Sequence, residues 1–70
     1  MKNTMLILDL KGYRKKEGLT QTDLAEKLGI TQSAVSQFEI NQQYVRLSTI
    51  NRIAEKLGVE VSRIVVEVTL

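Results

Sequence analysis

Between Thr31 and Val45 the chain carries a single charge, Glu39, amid a run of amides and hydroxyls: Gln32, Ser33, Ser36, Gln37, Asn41, Gln42 and Gln43. These groups donate and accept hydrogen bonds at neutral pH without titrating, so they suit recognition rather than bond-making. Taken alone, such a window also fits a neutral, solvated face. A second cluster, Lys11, Arg14, Lys15 and Lys16, adds positive charge to one short stretch, while the net charge is only +2. A small net charge is weak evidence for a polyanionic partner; its distribution says more.

The composition points away from catalysis. There is no His and no Cys, which removes the commonest general acid-base group, the thiolate nucleophile and the disulfide. The eight carboxylates are scattered, and Gly12, Gly18, Gly29 and Gly58 build no phosphate-cradling loop. No enzyme activity, cofactor or metal site is expected. Seventy residues make one domain, 1–70. A chain this short buries only about 60% of its unfolded surface and gains from association. Its apolar runs are too short to span a bilayer, and with no signal peptide the cytoplasm is the default location.

The elements that position the amide window follow from local signals. Met5-Leu6-Ile7-Leu8 reads as a strand or as the start of a helix, since periodicity alone does not separate the two. Asp9 is a helix N-cap, and the first helix runs to about Glu17, with Leu10 and Tyr13 inward and Gly18 as its stop. Gly12 inside that helix costs it about 1 kcal/mol relative to Ala. Thr20-Gln21-Thr22-Asp23 is a capping box with Asp at its fourth position. The second helix reaches Leu28 and buries Leu24, Ala25 and Leu28, and Gly29 ends it in the left-handed conformation. Ile30 is buried in the turn. Thr31 caps a third helix, about 32–40, with Val35 and Phe38 inward and Asn41 as a left-handed terminator. A polar loop leads to a fourth helix ending at Leu57, with Ile50, Ile53, Ala54 and Leu57 in its stripe. Val61 to Ile64 fits one helical turn, and the β-branched run from Val65 to Thr69 fits a strand. No internal repeat is evident.

Gln21, Ala25, Gly29, Val35 and Phe38 stand at the offsets of a helix-turn-helix. The stretch GLTQTDLAEKLGITQSAVSQFE, extended by LSTINRIAEKLGV, resembles the Cro/CI-type (XRE, lambda-repressor-like) helix-turn-helix family over roughly residues 9–64. The resemblance implies an all-α, compact five-helix domain that binds double-stranded operator DNA as a homodimer, with a transcriptional repressor as the leading reading. It implies that Gln32, Ser33 and Gln37 read base edges and that Gln21 meets a phosphate. It also pairs Arg14 with Glu39 as an internal salt bridge.

Physical reasons stand behind those roles. Gln bonds bidentately to adenine and Ser to several base edges, and Ser36 shares the outward face with Gln37. Free N–H groups at helix starts suit phosphates, which brings in Thr31 beside Gln21. Asn41, Gln42, Gln43, Tyr44 and Arg46 follow the reading helix and can reach the phosphate backbone, with Tyr44 equally able to pack over its own loop. Lys15, with Lys11 and Lys16, adds sequence-blind attraction.

The chain departs from the family pattern in the same loop. Asn41 stands where Gly is usual, Val45 where Pro is common and Arg46 where a small N-cap is usual. Ile40 replaces a polar residue, and either contacts a thymine methyl or packs on the loop.

The two ends are the least typical part of the resemblance. They fit a two-stranded antiparallel ribbon, formed within one chain or across a dimer axis, with Val59 to Ile64 then expected to carry dimerisation. A second class of function, a protein-interaction module of the same fold with an antitoxin-like or anti-repressor role, stays open. No membrane contact and no small-molecule ligand is expected.

Overall fold

The computed structural model describes residues 3–41 and 45–69. Strand β1 (Thr4–Leu8) leads into four α-helices, α1 (Leu10–Lys16), α2 (Gln21–Leu28), α3 (Gln32–Ile40) and α4 (Leu47–Leu57). A single 3-10 turn, Val61–Arg63, and strand β2 (Val65–Thr69) follow. The expected fifth helix is therefore a 3-10 turn, because only three residues separate the extended Glu60 from the C-cap at Ile64.

The helix starts are fixed by side chains. Thr20 accepts from the Asp23 N–H at 3.0 Å while Asp23 accepts from the Thr20 N–H at 2.9 Å, a reciprocal capping box. Thr31 accepts from the Ala34 N–H at 3.1 Å. Caps of this kind each contribute about 1 kcal/mol. Asp9 accepts from the Gly12 N–H at 3.0 Å, and it lies so close that a Cβ at position 12 would collide with its carboxylate. Gly12 thus costs helix propensity and admits a cap of similar worth.

The helix ends reveal a local recurrence. Leu24 to Ile30 reads LAEKLGI and Ile53 to Val59 reads IAEKLGV. Both segments close alike: Gly29 and Gly58 share φ 68° and ψ 32°, and the Ile30 and Val59 N–H groups each reach back to an Ala carbonyl at 3.0 Å. This is the six-to-one bond of a Schellman cap, whose left-handed residue is strained for any side chain larger than Gly. Although the sequence shows no repeat at domain scale, this seven-residue ending is used twice. Lys56, in the second copy, donates to the Leu28 carbonyl at 3.1 Å and ties α4 to the end of α2.

Leu8, Leu10, Leu24, Leu28, Val35, Ile50 and Ile64 are fully buried. Each such side chain contributes about 1.5–3 kcal/mol of burial. Ala25 is 5% exposed where α2 crosses α3, and its small size permits the approach. Phe38 faces inward as expected, half-buried against the edge of this cluster. Two expectations shift. Ile30 is half-buried rather than buried. Asn41 ends α3 at φ −108° and ψ 30°, outside the left-handed region, so its own N–H simply continues the ladder to the Gln37 carbonyl at 2.9 Å.

The ribbon forms within one chain, antiparallel, with Leu8 opposite Val65 and Met5 opposite Val68. The Asp9 N–H donates to the Ile64 carbonyl at 2.7 Å and locks the ribbon to the helices. Strand alternation then gives it two unlike faces. Leu8 and Val65 turn toward the core, whereas Met5, Ile7, Val66 and Val68 share the other side. Met5 and Val66 on that side stay 39% and 45% exposed.

Candidate nucleic-acid interface

Helix α3 buries Val35, with Ala34 and Phe38 half-buried beside it. Its opposite side presents Ser33, Gln37 and Ile40, flanked by Gln32 at the N-terminal end and by half-buried Ser36. Ile40 is 66% exposed, which decides between its two sequence readings in favour of the outward one. The exposed face is thus uncharged and mixes hydrogen-bonding groups with one large apolar side chain.

One hydrogen-bonded chain runs from the interior to this face. Arg14 clasps Glu39 through Nε at 2.8 Å and Nη2 at 3.2 Å, and its Nη1 donates to the Leu19 carbonyl at 3.1 Å. Gln21 Nε2 donates to Glu39 Oε1 at 3.2 Å, and Gln32 Nε2 donates to Gln21 Oε1 at 3.3 Å. Sequence reasoning singled out all four residues but did not link them in this order. Gln21, expected to meet a phosphate, has its amide engaged on both sides within the fold.

The Arg14 and Glu39 side chains are 15% and 6% exposed. Burial penalises the Glu39 carboxylate, but the hydrogen bonds from Arg14 and Gln21 and the charges of Arg14 and Lys11 outweigh it. The net effect holds its pKa below the ordinary carboxylate range. The hydrogen bond to Glu39 in turn raises the Arg14 pKa. By contrast, Arg63 and Glu17, paired at 3.1 Å, are 55% and 40% exposed, and such a surface pair contributes little.

The starts of α2 and α3 are left with donors to spare. The capping interactions engage Thr20, Asp23 and Ala34, so the N–H groups of Gln21, Thr22, Gln32 and Ser33 face outward without a partner inside their helices. At α2 the Asp23 carboxylate shares that end, its pKa lowered by its hydrogen bonds with Thr20.

At the other end of the face, Asn41 Nδ2 donates to Gln37 Oε1 at 3.2 Å. Gln37 and Asn41 look across an open depression toward Val45, Arg46 and Thr49; Thr49 escaped sequence reasoning because it sits on the flank of an otherwise ordinary amphipathic helix. Arg46 is exposed and makes no side-chain cap for α4. Gln42, Gln43 and Tyr44 lie outside the described residues. Lys11 and Lys15 are both exposed on α1, and Lys11, the one whose charge reaches Glu39, lies nearer α3.

Among the described residues no cluster of carboxylates could hold a metal ion, and no helix is long and apolar enough to cross a membrane.

A helix-turn-helix family model, HTH_3, matches residues 10–64. The chain is 41% identical over 61 residues to the immunity repressor protein of Bacillus phage phi105, spanning 87% of this chain and 42% of that protein. It is 39% identical over 54 residues to the antitoxin HipB of Escherichia coli K12, spanning 77% of this chain and 61% of that one. Among solved structures, a hypothetical transcription factor NHTF from Neisseria superposes with a TM-score of 0.58 at 30% identity, over 77% of this chain and 61% of that one. HipB in a HipB-O1-O2 complex superposes with a TM-score of 0.54 at 37% identity, over 73% of this chain and 74% of that one.

Proposed function

The chain belongs to the helix-turn-helix family of the Cro/CI type, and from that premise we propose that it is a transcriptional repressor that works in the cytoplasm by binding a palindromic operator as a homodimer through α3. The observation that carries this reading is the exposed, uncharged side of α3, where Gln32, Ser33 and Gln37 stand clear of the core. In the major groove such amides and hydroxyls contact base edges, and exposed Ile40 suits a thymine methyl. We assign base contacts to Gln32, Ser33, Ser36 and Gln37. Phosphate contacts go to the free N–H groups beside Gln21 and Thr31, to Asn41 and Arg46, to Lys15, and to the loop residues Gln42, Gln43 and Tyr44. Lys11 joins them on its position.

The whole chain, 1–70, acts as the DNA-binding domain. Because it spans about two fifths of the phage repressor and three fifths of HipB, functions that those proteins place elsewhere do not carry over.

Dimerisation is supported by the ribbon. The region from Val59 to Ile64 spends its apolar side chains inward, with Ile64 fully buried and Val59 and Val61 packed on the core. The Met5, Ile7, Val66 and Val68 side of the ribbon carries no charge and turns away from that core. Such a face is self-complementary across a two-fold axis, since neither copy must supply an opposite charge. Val66→Lys, at an exposed site, is expected to leave folding within about 0.5 kcal/mol of the parent. It should convert the dimer to a monomer in sedimentation and weaken operator binding, although it adds positive charge. A dimer that survives this change would place the interface elsewhere.

A second reading, an antitoxin-like module that acts on a partner protein, is favoured by the 39% identity to HipB. Selection of bound sites from random duplex DNA separates the two. Repression of an operator predicts an enriched near-palindrome with half-site centres about one helical turn, roughly 34 Å, apart. No enriched sequence would leave the partner-protein reading standing.

A further inference from the structure

Glu39, the one charged residue of α3, points its carboxylate into the fold, and an ionised carboxylate only accepts hydrogen bonds. Arg14 only donates, and it takes both carboxylate oxygens at 2.8 and 3.2 Å. Gln21, at 3.2 Å, must therefore turn its NH2 toward Glu39, which commits its Oε1 to the other side. Gln32 lies on that side at 3.3 Å and must in turn donate. One N–H of Gln32 is thereby spent. What remains for an outside partner is one N–H and the Oε1, in a single fixed order. A donor beside an acceptor complements the N7 acceptor and N6 donor of adenine.

We propose that Glu39 is a positioning residue for base reading: through Gln21 it fixes which end of the Gln32 amide faces the groove, and so makes that position select adenine. This rests on the reading of α3 as the recognition helix and deepens it. The ion pair then has two uses, holding α1 to α3 and passing a hydrogen-bond polarity to the surface.

The relay reverses by a single substitution. In Glu39→Gln, Arg14 still only donates, so the new amide keeps the shorter bond, 2.8 Å from Nε, by placing its oxygen at the Oε2 site; its NH2 then takes the Oε1 site, giving up the 3.2 Å bond from Nη2 and facing Gln21 as a donor. Gln21 then accepts from position 39 and donates to Gln32. Gln32 accepts, and both hydrogens of its own NH2 are freed. Two donors suit an acceptor-only edge such as guanine N7 and O6.

The test uses the full chain and the selected operator, with adenine or guanine at the position whose preference Gln32→Ala abolishes. The parent should prefer adenine by about tenfold or more, the range of one bidentate contact. Glu39→Gln should move the ratio toward guanine by a similar factor, whatever it does to total affinity. Gln21→Met keeps the Arg14–Glu39 pair and cuts the relay, so it should flatten the ratio in a folded protein. A ratio of affinities does not respond to stability, which melting curves report separately. If both variants keep the parent's adenine preference, the relay is refuted while α3 remains the reader. If Gln32→Ala itself leaves every base preference unchanged, the assignment of Gln32 as reader fails and the relay with it.

Discussion

Arg14→Met is expected to lower folding stability by about 3 kcal/mol at neutral pH, because it strands a carboxylate that the fold has removed from water. Glu39 is 6% exposed at its side chain and would keep only the Gln21 amide as a partner. The figure lies at the low end of the range for breaking a buried pair, since Arg14 itself retains 15% exposure. Met fills most of the volume of the Arg stem, so lost packing adds little. In the parent, the Glu39 pKa lies below the ordinary glutamate value of 4.5, since its bonds to Arg14 and Gln21 and the charges of Arg14 and Lys11 outweigh burial. The folded state therefore binds its proton less readily than the unfolded chain. The associated stability is present above about pH 4.5 and drains away as pH falls through the folded value. Asp23, lowered by its bonds with Thr20, contributes in the same direction.

In Arg14→Met the sign for Glu39 inverts. Burial is now opposed only by the Gln21 amide and the charge of Lys11, the weakest of the original influences, so the carboxyl is expected above its unfolded value and favours folding when protonated. The gap between parent and variant should be widest near pH 7 and narrow toward pH 4 in urea titrations. A gap independent of pH would mean that Glu39 is not the group left stranded.

The ion pair also marks where sequence reading stops. The boundaries of α2 and α3 were legible because the signals are local. Thr20 and Asp23 are three residues apart, Thr31 caps Ala34 at the same spacing, and Gly29 sits at the one place that needs a left-handed backbone. Arg14 and Glu39 were paired by resemblance rather than by pattern. Gln21 and Glu39 stand 18 positions apart, and no periodicity encodes which amide leans on which carboxylate.

The first strand was ambiguous for a related reason. Met5 to Leu8 is apolar throughout, and only its partner from Val65 onward makes it extended. Phe38 was legible as an inward residue but not in its depth, and Asn41 was misjudged, because the end of α3 is decided by its neighbours. Phe38 meets the edge of the core rather than its centre, and Asn41 closes the helix with an ordinary backbone and a side chain turned to Gln37.

Reading and folding should separate cleanly when Gln37→Ala is set beside Leu24→Ala. Leu24 is fully buried on α2, the helix that packs against both α3 and α4. Its truncation should cost about 3–5 kcal/mol, transfer and cavity together. A domain of this size has only about 4–10 kcal/mol in total, so much of that margin goes and every kind of DNA binding weakens together. Gln37 is exposed, and its only side-chain hydrogen bond among the described residues is the 3.2 Å bond from Asn41. Losing it should change stability by less than about 0.5 kcal/mol. Because Asn41 takes one of the two lone pairs of Oε1, the Gln37 NH2 keeps both hydrogens for a base, which suits an acceptor in the groove. Gln37→Ala should therefore lower operator affinity by about 1–3 kcal/mol and relax preference at one position. Binding to scrambled DNA should hold, since no phosphate contact is removed. Thermal melts with titrations on operator and scrambled duplexes measure stability, operator affinity and scrambled-DNA affinity for both variants. A Gln37→Ala protein that melts like the parent and binds operator equally well would take Gln37 out of the reading face. A loss on scrambled DNA as large as the loss on operator would make its contact one with the backbone.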